Sequence, residues 1–127
     1  MSFKEYDEYD AMGLAELVKK KEVSAEELLD EAIQRTEKVN GQTNAVVLKH
    51  YDEAKAMIEK GLPEGPFTGV PYLLKDLHVL LTGTKTTYGS KFFKDYVADH
   101  NSTLVDRYLE AGLVIFGKTN SPEFGLT

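Results

Sequence analysis

The sequence predicts an α/β fold in which helices come first and a parallel strand pair follows. Three observations carry this prediction. Apolar residues recur at helical spacing from Leu14 to Ile58. Glycine and proline crowd the stretch from Gly61 to Pro71. Two short apolar runs, Val70–Leu74 and Leu113–Phe116, flank a further helical pattern, and strand, helix, strand is the order of a βαβ unit.

Leu14, Leu17 and Val18 share one helical face, and Lys19, Lys20 and Lys21 suit the negative end of that helix's dipole as its solvated last turn. Ser24-Ala25-Glu26-Glu27 spells a capping box, in which hydroxyl and carboxylate satisfy each other's free backbone N–H groups. The helix it opens places Leu28, Leu29, Ala32, Ile33, Thr36 and Val39 inward, and Asn40-Gly41 is its expected stop. Ala45–Leu48 is a short apolar stretch. A third helix is predicted from Lys49 to Lys60, with Tyr51, Ala54, Met57 and Ile58 inward and Gly61 ending it. The helical part thus covers 1–61.

The βαβ portion covers 66–127. Its first strand runs through Val70–Leu74 and ends in Lys75-Asp76, and a Gly/Thr-rich loop follows over Thr82–Gly89. Ser102 or Asn101 is expected to cap a helix from Thr103 to Ala111, with Leu104, Val105, Tyr108 and Leu109 inward and Gly112 as its left-handed stop. The second strand is expected to end at Gly117. A parallel sheet covered on both faces needs more than two strands, so the pattern reads as the opening of a larger domain.

Composition narrows the function. The chain has 127 residues with 15 Lys+Arg against 21 Asp+Glu, a net charge of −6, which argues against a nucleic-acid partner. It has no cysteine, which excludes disulfide frameworks and cysteine-ligated zinc. His and carboxylates show no metal-ligand spacing, so no metal or cofactor is expected. The acidic start MSFKEYDEYD is unlike a signal peptide, and no apolar run approaches a membrane span. The expected setting is the cytoplasm, with no membrane partner.

Lys75 is the sharpest chemical candidate. A lysine ending an apolar strand is drawn into low dielectric, where its charged form is disfavoured and a neutral amine can serve as a base. The competing reading has it reaching water or pairing with Asp76. A triad of Asp76, His78 and Ser90 lacks a G-x-S-x-G elbow, and His50 and His100 are expected at the surface. Gly112 to Thr119 fits the letters of a phosphate loop, but Leu113–Phe116 inside it reads as a buried strand rather than a flexible anion cradle. Asn101-Ser102-Thr103 is a glycosylation sequon better read as a helix cap. Tyr6, Tyr9, Tyr72 and Tyr88 are expected to pack.

Two long blocks carry a family resemblance. Gly65-Pro66-Phe67-Thr68-Gly69-Val70-Pro71-Tyr72-Leu73-Leu74-Lys75-Asp76-Leu77 resembles the first catalytic block of the amidase signature family. Ala111-Gly112-Leu113-Val114-Ile115-Phe116-Gly117-Lys118-Thr119-Asn120-Ser121-Pro122-Glu123-Phe124-Gly125 resembles a second block, in the family's order. Val23–Leu28, Val39-Asn40 and Asn44-Ala45-Val46 add to it, so the likeness covers the chain from about Ala11.

The resemblance implies an α/β/α fold and hydrolysis of small-molecule carboxylic amides by a Ser-cisSer-Lys triad, with Lys75 as its base. Lys75 would accept a proton from the bridging serine, which in turn activates the nucleophile. Asp76 would sit beside it, and Lys118-Thr119-Asn120 would shape the adjoining loop. The family's Gly/Ser-rich segment, with both serines and the oxyanion-hole amides, lies downstream of the block matching Gly117–Gly125. Residues 1–127 therefore hold one triad member of three, as a truncated N-terminal part of an amidase domain, and are expected to be inactive alone. The amidase-like component of a tRNA-dependent amidotransferase, its A subunit, fits the same resemblance. The alternative is a non-catalytic remnant acting as an interaction module. Unpaired strand edges predict a homo-oligomer.

Overall fold

A computed structural model describes residues 3–126. A 3-10 turn over Lys4–Glu8 leads into α1 (Ala11–Lys19) and α2 (Ala25–Thr43). Then come β1 (Val46–Lys49), α3 (Tyr51–Lys60), β2 (Pro71–Lys75), α4 (Thr103–Glu110) and β3 (Val114–Thr119). Two further 3-10 turns lie at Lys91–Phe93 and Glu123–Gly125.

The capping box forms as its spacing dictates: Glu27 N–H donates to Ser24 Oγ at 3.1 Å, and Ser24 N–H to Glu27 Oε2 at 2.8 Å. α2 does not stop at Asn40-Gly41. It continues to Thr43 and closes on Asn44 in the left-handed region (φ 49°). Asn40 is used differently, its amide accepting from Val46 N–H and donating to Val46 C=O, so it fastens β1 to the helix. Val39, expected inward, is 48% exposed. Of the three lysines only Lys19 is helical; Lys20 is the C-cap, and Lys21 is left-handed (φ 60°).

The sheet has the order β1-β3-β2. β2 and β3 are parallel, with Leu74 opposite Lys118 and Lys75 opposite Thr119, and α4 is their crossover. β1 pairs antiparallel with β3, so the apolar stretch from Ala45 supplies an edge strand and the sheet is mixed, not purely parallel. β3 also runs through Gly117 instead of ending there.

Side-chain alternation along β3 builds a core on each face. Val114 and Phe116 pack with Leu29 and Ala32 of α2 and Ala54 of α3, while Ile115 packs with Leu74 and with Val105 of α4. A further cluster joins Leu14, Ala15, Val23 and Leu28 to Val70 and Leu113. Helices therefore cover both faces of the sheet, an α/β/α layering.

α4 departs from expectation at its cap. Ser102 is the N-cap residue, yet its side chain makes no capping bond to the helix. Its hydroxyl accepts from Leu80 N–H and donates to His78 C=O. Asn101 accepts from Thr82 N–H and donates to Asp106, so the sequon asparagine is committed to holding a loop. Leu104, expected inward, is 47% exposed.

Candidate active site

The site lies at the carboxyl ends of the two parallel strands, where open α/β sheets commonly receive ligands. Lys75 is the last residue of β2. Its Nζ donates to the carbonyl of Asn120, just past β3, at 3.1 Å. The side chain is exposed, which corrects the expectation that the strand end buries it. Alternation puts Lys75 on the same face as Leu73, which packs toward α2 and α3, but Lys75 is the last residue of β2 and lies at the exposed end of that face.

The dehydrated lysine is Lys118, which has no exposed surface. Its Nζ donates to the carbonyl of Lys85 and, at 2.7 Å, to Thr86 Oγ1. Burial pushes its pKa down to about 8, opposed by the negative charge of Asp76. A lysine following Gly117 reads as a loop residue when glycine is taken to end the strand. The signal that could have placed it was the pairing partner needed by the apolar run at Ala45–Leu48, which requires a longer β3.

Asp76 is 2% exposed. Its Oδ1 accepts from Thr87 N–H at 2.7 Å, and its Oδ2 accepts from the Thr87 hydroxyl. Its own N–H extends the ladder by donating to Thr119 C=O at 3.0 Å. His50, expected at the surface, is buried at the N-cap of α3. Its Nδ1 has no hydrogen-bond partner among the described residues. Burial, then the Lys118 charge, lowers its pKa, so the neutral ring is favoured. His100 is exposed and pairs with Asp99.

The Asp76, His78, Ser90 grouping does not assemble. Asp76 is committed to Thr87, and Ser90 Oγ accepts from Phe92 N–H. The His78 ring stands edge-on to Tyr88, with centroids 5.4 Å apart. Tyr88 also packs on Phe93 and Phe124, while Tyr72 packs on Tyr108, as expected of packing residues. Within Gly112 to Thr119, Val114–Thr119 is the largely buried strand β3, not an anion loop. Among the described residues, no group of His, Asp and Glu could hold a metal ion. No helix among them is long and apolar enough to cross a membrane.

The chain is an α/β protein in which a strand-end lysine is held by the loop after the neighbouring parallel strand. The family model for amidases matches residues 27–127, and the chain belongs to that family. It is 45% identical over 118 residues to a 6-aminohexanoate-cyclic-dimer hydrolase of Paenarthrobacter ureafaciens, covering 91% of this chain and 24% of that protein. It is 35% identical over 120 residues to the A subunit of the glutamyl-tRNA(Gln) amidotransferase of Thermoanaerobacter pseudethanolicus, covering 89% and 24%. The solved structure of 6-aminohexanoate cyclic dimer hydrolase superposes with a TM-score of 0.85 at 43% identity, over 91% of this chain and 24% of that one. The chain thus spans about a quarter of the length of these relatives.

Proposed function

We propose that these residues are the N-terminal portion of an amidase that hydrolyses carboxylic amide C–N bonds by a Ser-cisSer-Lys mechanism. The observation that carries this reading is Lys75. It ends β2 inside the family-like block Gly65–Leu77, with its amine accessible and held by Asn120 C=O. In this reading, Lys75 takes the proton of the bridging serine as that serine takes the nucleophile's, and the acyl group passes to the nucleophile as the amine leaves. Both serines would come from the remainder of such an enzyme. Residues 1–127 alone then hydrolyse no simple amide.

The higher identity to the cyclic-dimer hydrolase, 45% against 35%, favours a hydrolase of small amides over a component of a tRNA-dependent amidotransferase. Self-association is part of the proposal: β2 carries the apolar run Tyr72-Leu73-Leu74 along an edge unpaired among the described residues.

The test is a chimera in which this chain replaces the matching quarter of the cyclic-dimer hydrolase. The chimera is expected to hydrolyse that enzyme's amide. Lys75→Met within it is expected to lower kcat by about a hundred- to ten-thousandfold. A fully active Lys75→Met chimera overturns the assignment of the base.

A further inference from the structure

Two buried opposite charges, one from each parallel strand, act on three consecutive residues of a single loop. Lys118 of β3 grips Lys85 and Thr86, and Asp76, directly after β2, grips Thr87. Both charges are almost wholly out of water, at 0% and 2% exposure. Burying an ammonium and a carboxylate is costly, and packing alone would be served better by apolar residues of similar volume. Each charge instead has its hydrogen-bonding capacity directed at the same short segment, whose backbone is otherwise held by an isolated antiparallel bridge between Lys85 and Val97 and by Thr86 N–H donating to Tyr96 C=O.

The grip continues back to Lys75. Tyr88, next to Thr87, accepts from Phe124 N–H at 2.7 Å through its carbonyl. Gly89 abuts the carbonyl of Ser121 so closely that a Cβ would collide with it. These contacts fix the loop after β3, and that loop presents the Asn120 carbonyl to Lys75 Nζ. The path runs from Asp76 to Thr87, Tyr88, Phe124, Asn120 and Lys75, and closes on the residue beside its start. Three residues on or next to it, His78, Tyr88 and Phe124, are non-glycines held at positive φ (59°, 55° and 55°). Such conformations persist only where the surroundings over-determine them, and they gather at functional sites.

We infer that Asp76 and Lys118 are positioning residues for Lys75: together they clamp Lys85–Thr87, and the clamped loop holds the Asn120 carbonyl that orients the Lys75 amine. The inference rests on the proposed role of Lys75 as a base for its catalytic meaning, but its physical content is testable without catalysis.

The test uses the 127-residue chain labelled for NMR, as wild type, Asp76→Asn and Lys118→Arg. In Asp76→Asn, exchange of the Thr87 amide proton is expected to quicken roughly tenfold or more, because its charged acceptor is gone. The Lys75 Cε resonance is expected to move with it, while the Leu28 and Leu29 amides of α2 keep their protection. Lys118→Arg keeps the buried cation and is expected to leave the Lys75 resonance near its wild-type position. A role confined to folding would loosen Thr87 and leave Lys75 where it was, and that result overturns the inference. So does a Thr87 amide whose exchange is unchanged. Should Asp76→Asn fail to fold, Thr87→Val, which removes the hydroxyl that donates to Asp76 and accepts from Gly89 N–H but keeps the Thr87 N–H bond, must move the Lys75 resonance in the same direction, and an unmoved resonance again overturns it. A failed chimera experiment with an intact NMR result would remove the catalytic role and leave the clamp.

Discussion

Gly117 of β3 lies against the backbone of Leu48 in β1, so close that a Cβ on it would stand 2.6 Å from the Leu48 carbonyl oxygen. The contact joins the antiparallel edge strand to the centre of the sheet, and backbone atoms have no rotamer by which to yield. Gly117→Ala is expected to cost about 2–3 kcal/mol and to free β1 from β3. Urea unfolding with amide exchange at Val46–Lys49 checks it. An unchanged midpoint would mean that the strands separate without strain.

Lys118 links stability to alkaline pH. Its pKa falls from 10.5 to about 8 on folding, so between those values the unfolded chain binds more protons than the folded one. Its contribution is therefore full above about 10.5 and is lost as pH falls through about 8. It amounts to at most roughly 3 kcal/mol. Thermal unfolding from pH 8 to 10 should show wild type gaining stability relative to Lys118→Met. Above pH 10 both proteins should lose stability together, because the phenols of Tyr51 and Tyr72 are raised to about 12 in the fold and ionise first in the unfolded chain. Parallel curves for the two proteins from pH 8 to 10 would contradict the linkage.

Lys75 should behave in the opposite manner to Lys118. It is exposed and makes a single bond to a carbonyl. Lys75→Met is expected to change stability by no more than about 0.5 kcal/mol in this chain. A loss of several kcal/mol in denaturant unfolding would make Lys75 a structural residue and weaken its assignment as a base.

The capping box offers a local test. Ser24→Ala removes the acceptor for Glu27 N–H at the start of α2 and is expected to cost about 1 kcal/mol. Ser24→Gly should cost only a few tenths of that amount. Equal losses for the two variants, measured by chemical denaturation, would show that the serine contributes through something other than its hydroxyl.

What could be read directly from the sequence was what depends on local rules. The capping box, the Gly/Pro segment before β2, the helix between β2 and β3 and the parallel pairing all follow from spacing and turn chemistry. Where local rules were misleading, distant residues decided. Asn40 looks like a helix stop, but its amide serves β1 six residues on. Gly117 looks like a strand end, but its missing side chain lets β1 approach. Ser102 looks like a cap, but its hydroxyl is taken by a loop 22 residues away. At the site, Lys75 was visible because it ends an apolar run and lies in a familiar block. Lys118 and His50 were not, because burial of a polar residue is set by what packs over it.

The order of the sheet has a consequence for synthesis. β3 is the central strand and the last of the three to be translated, and both β1 and β2 pair with it rather than with each other. No ladder of this sheet can form until residues 114–119 have left the ribosome. Until then α2 and α3 must wait with Leu29, Ala32 and Ala54 lacking Val114 and Phe116 to cover them. Within these residues the sheet therefore forms only once β3 is available, and the apolar faces of α2 and α3 stay uncovered until then.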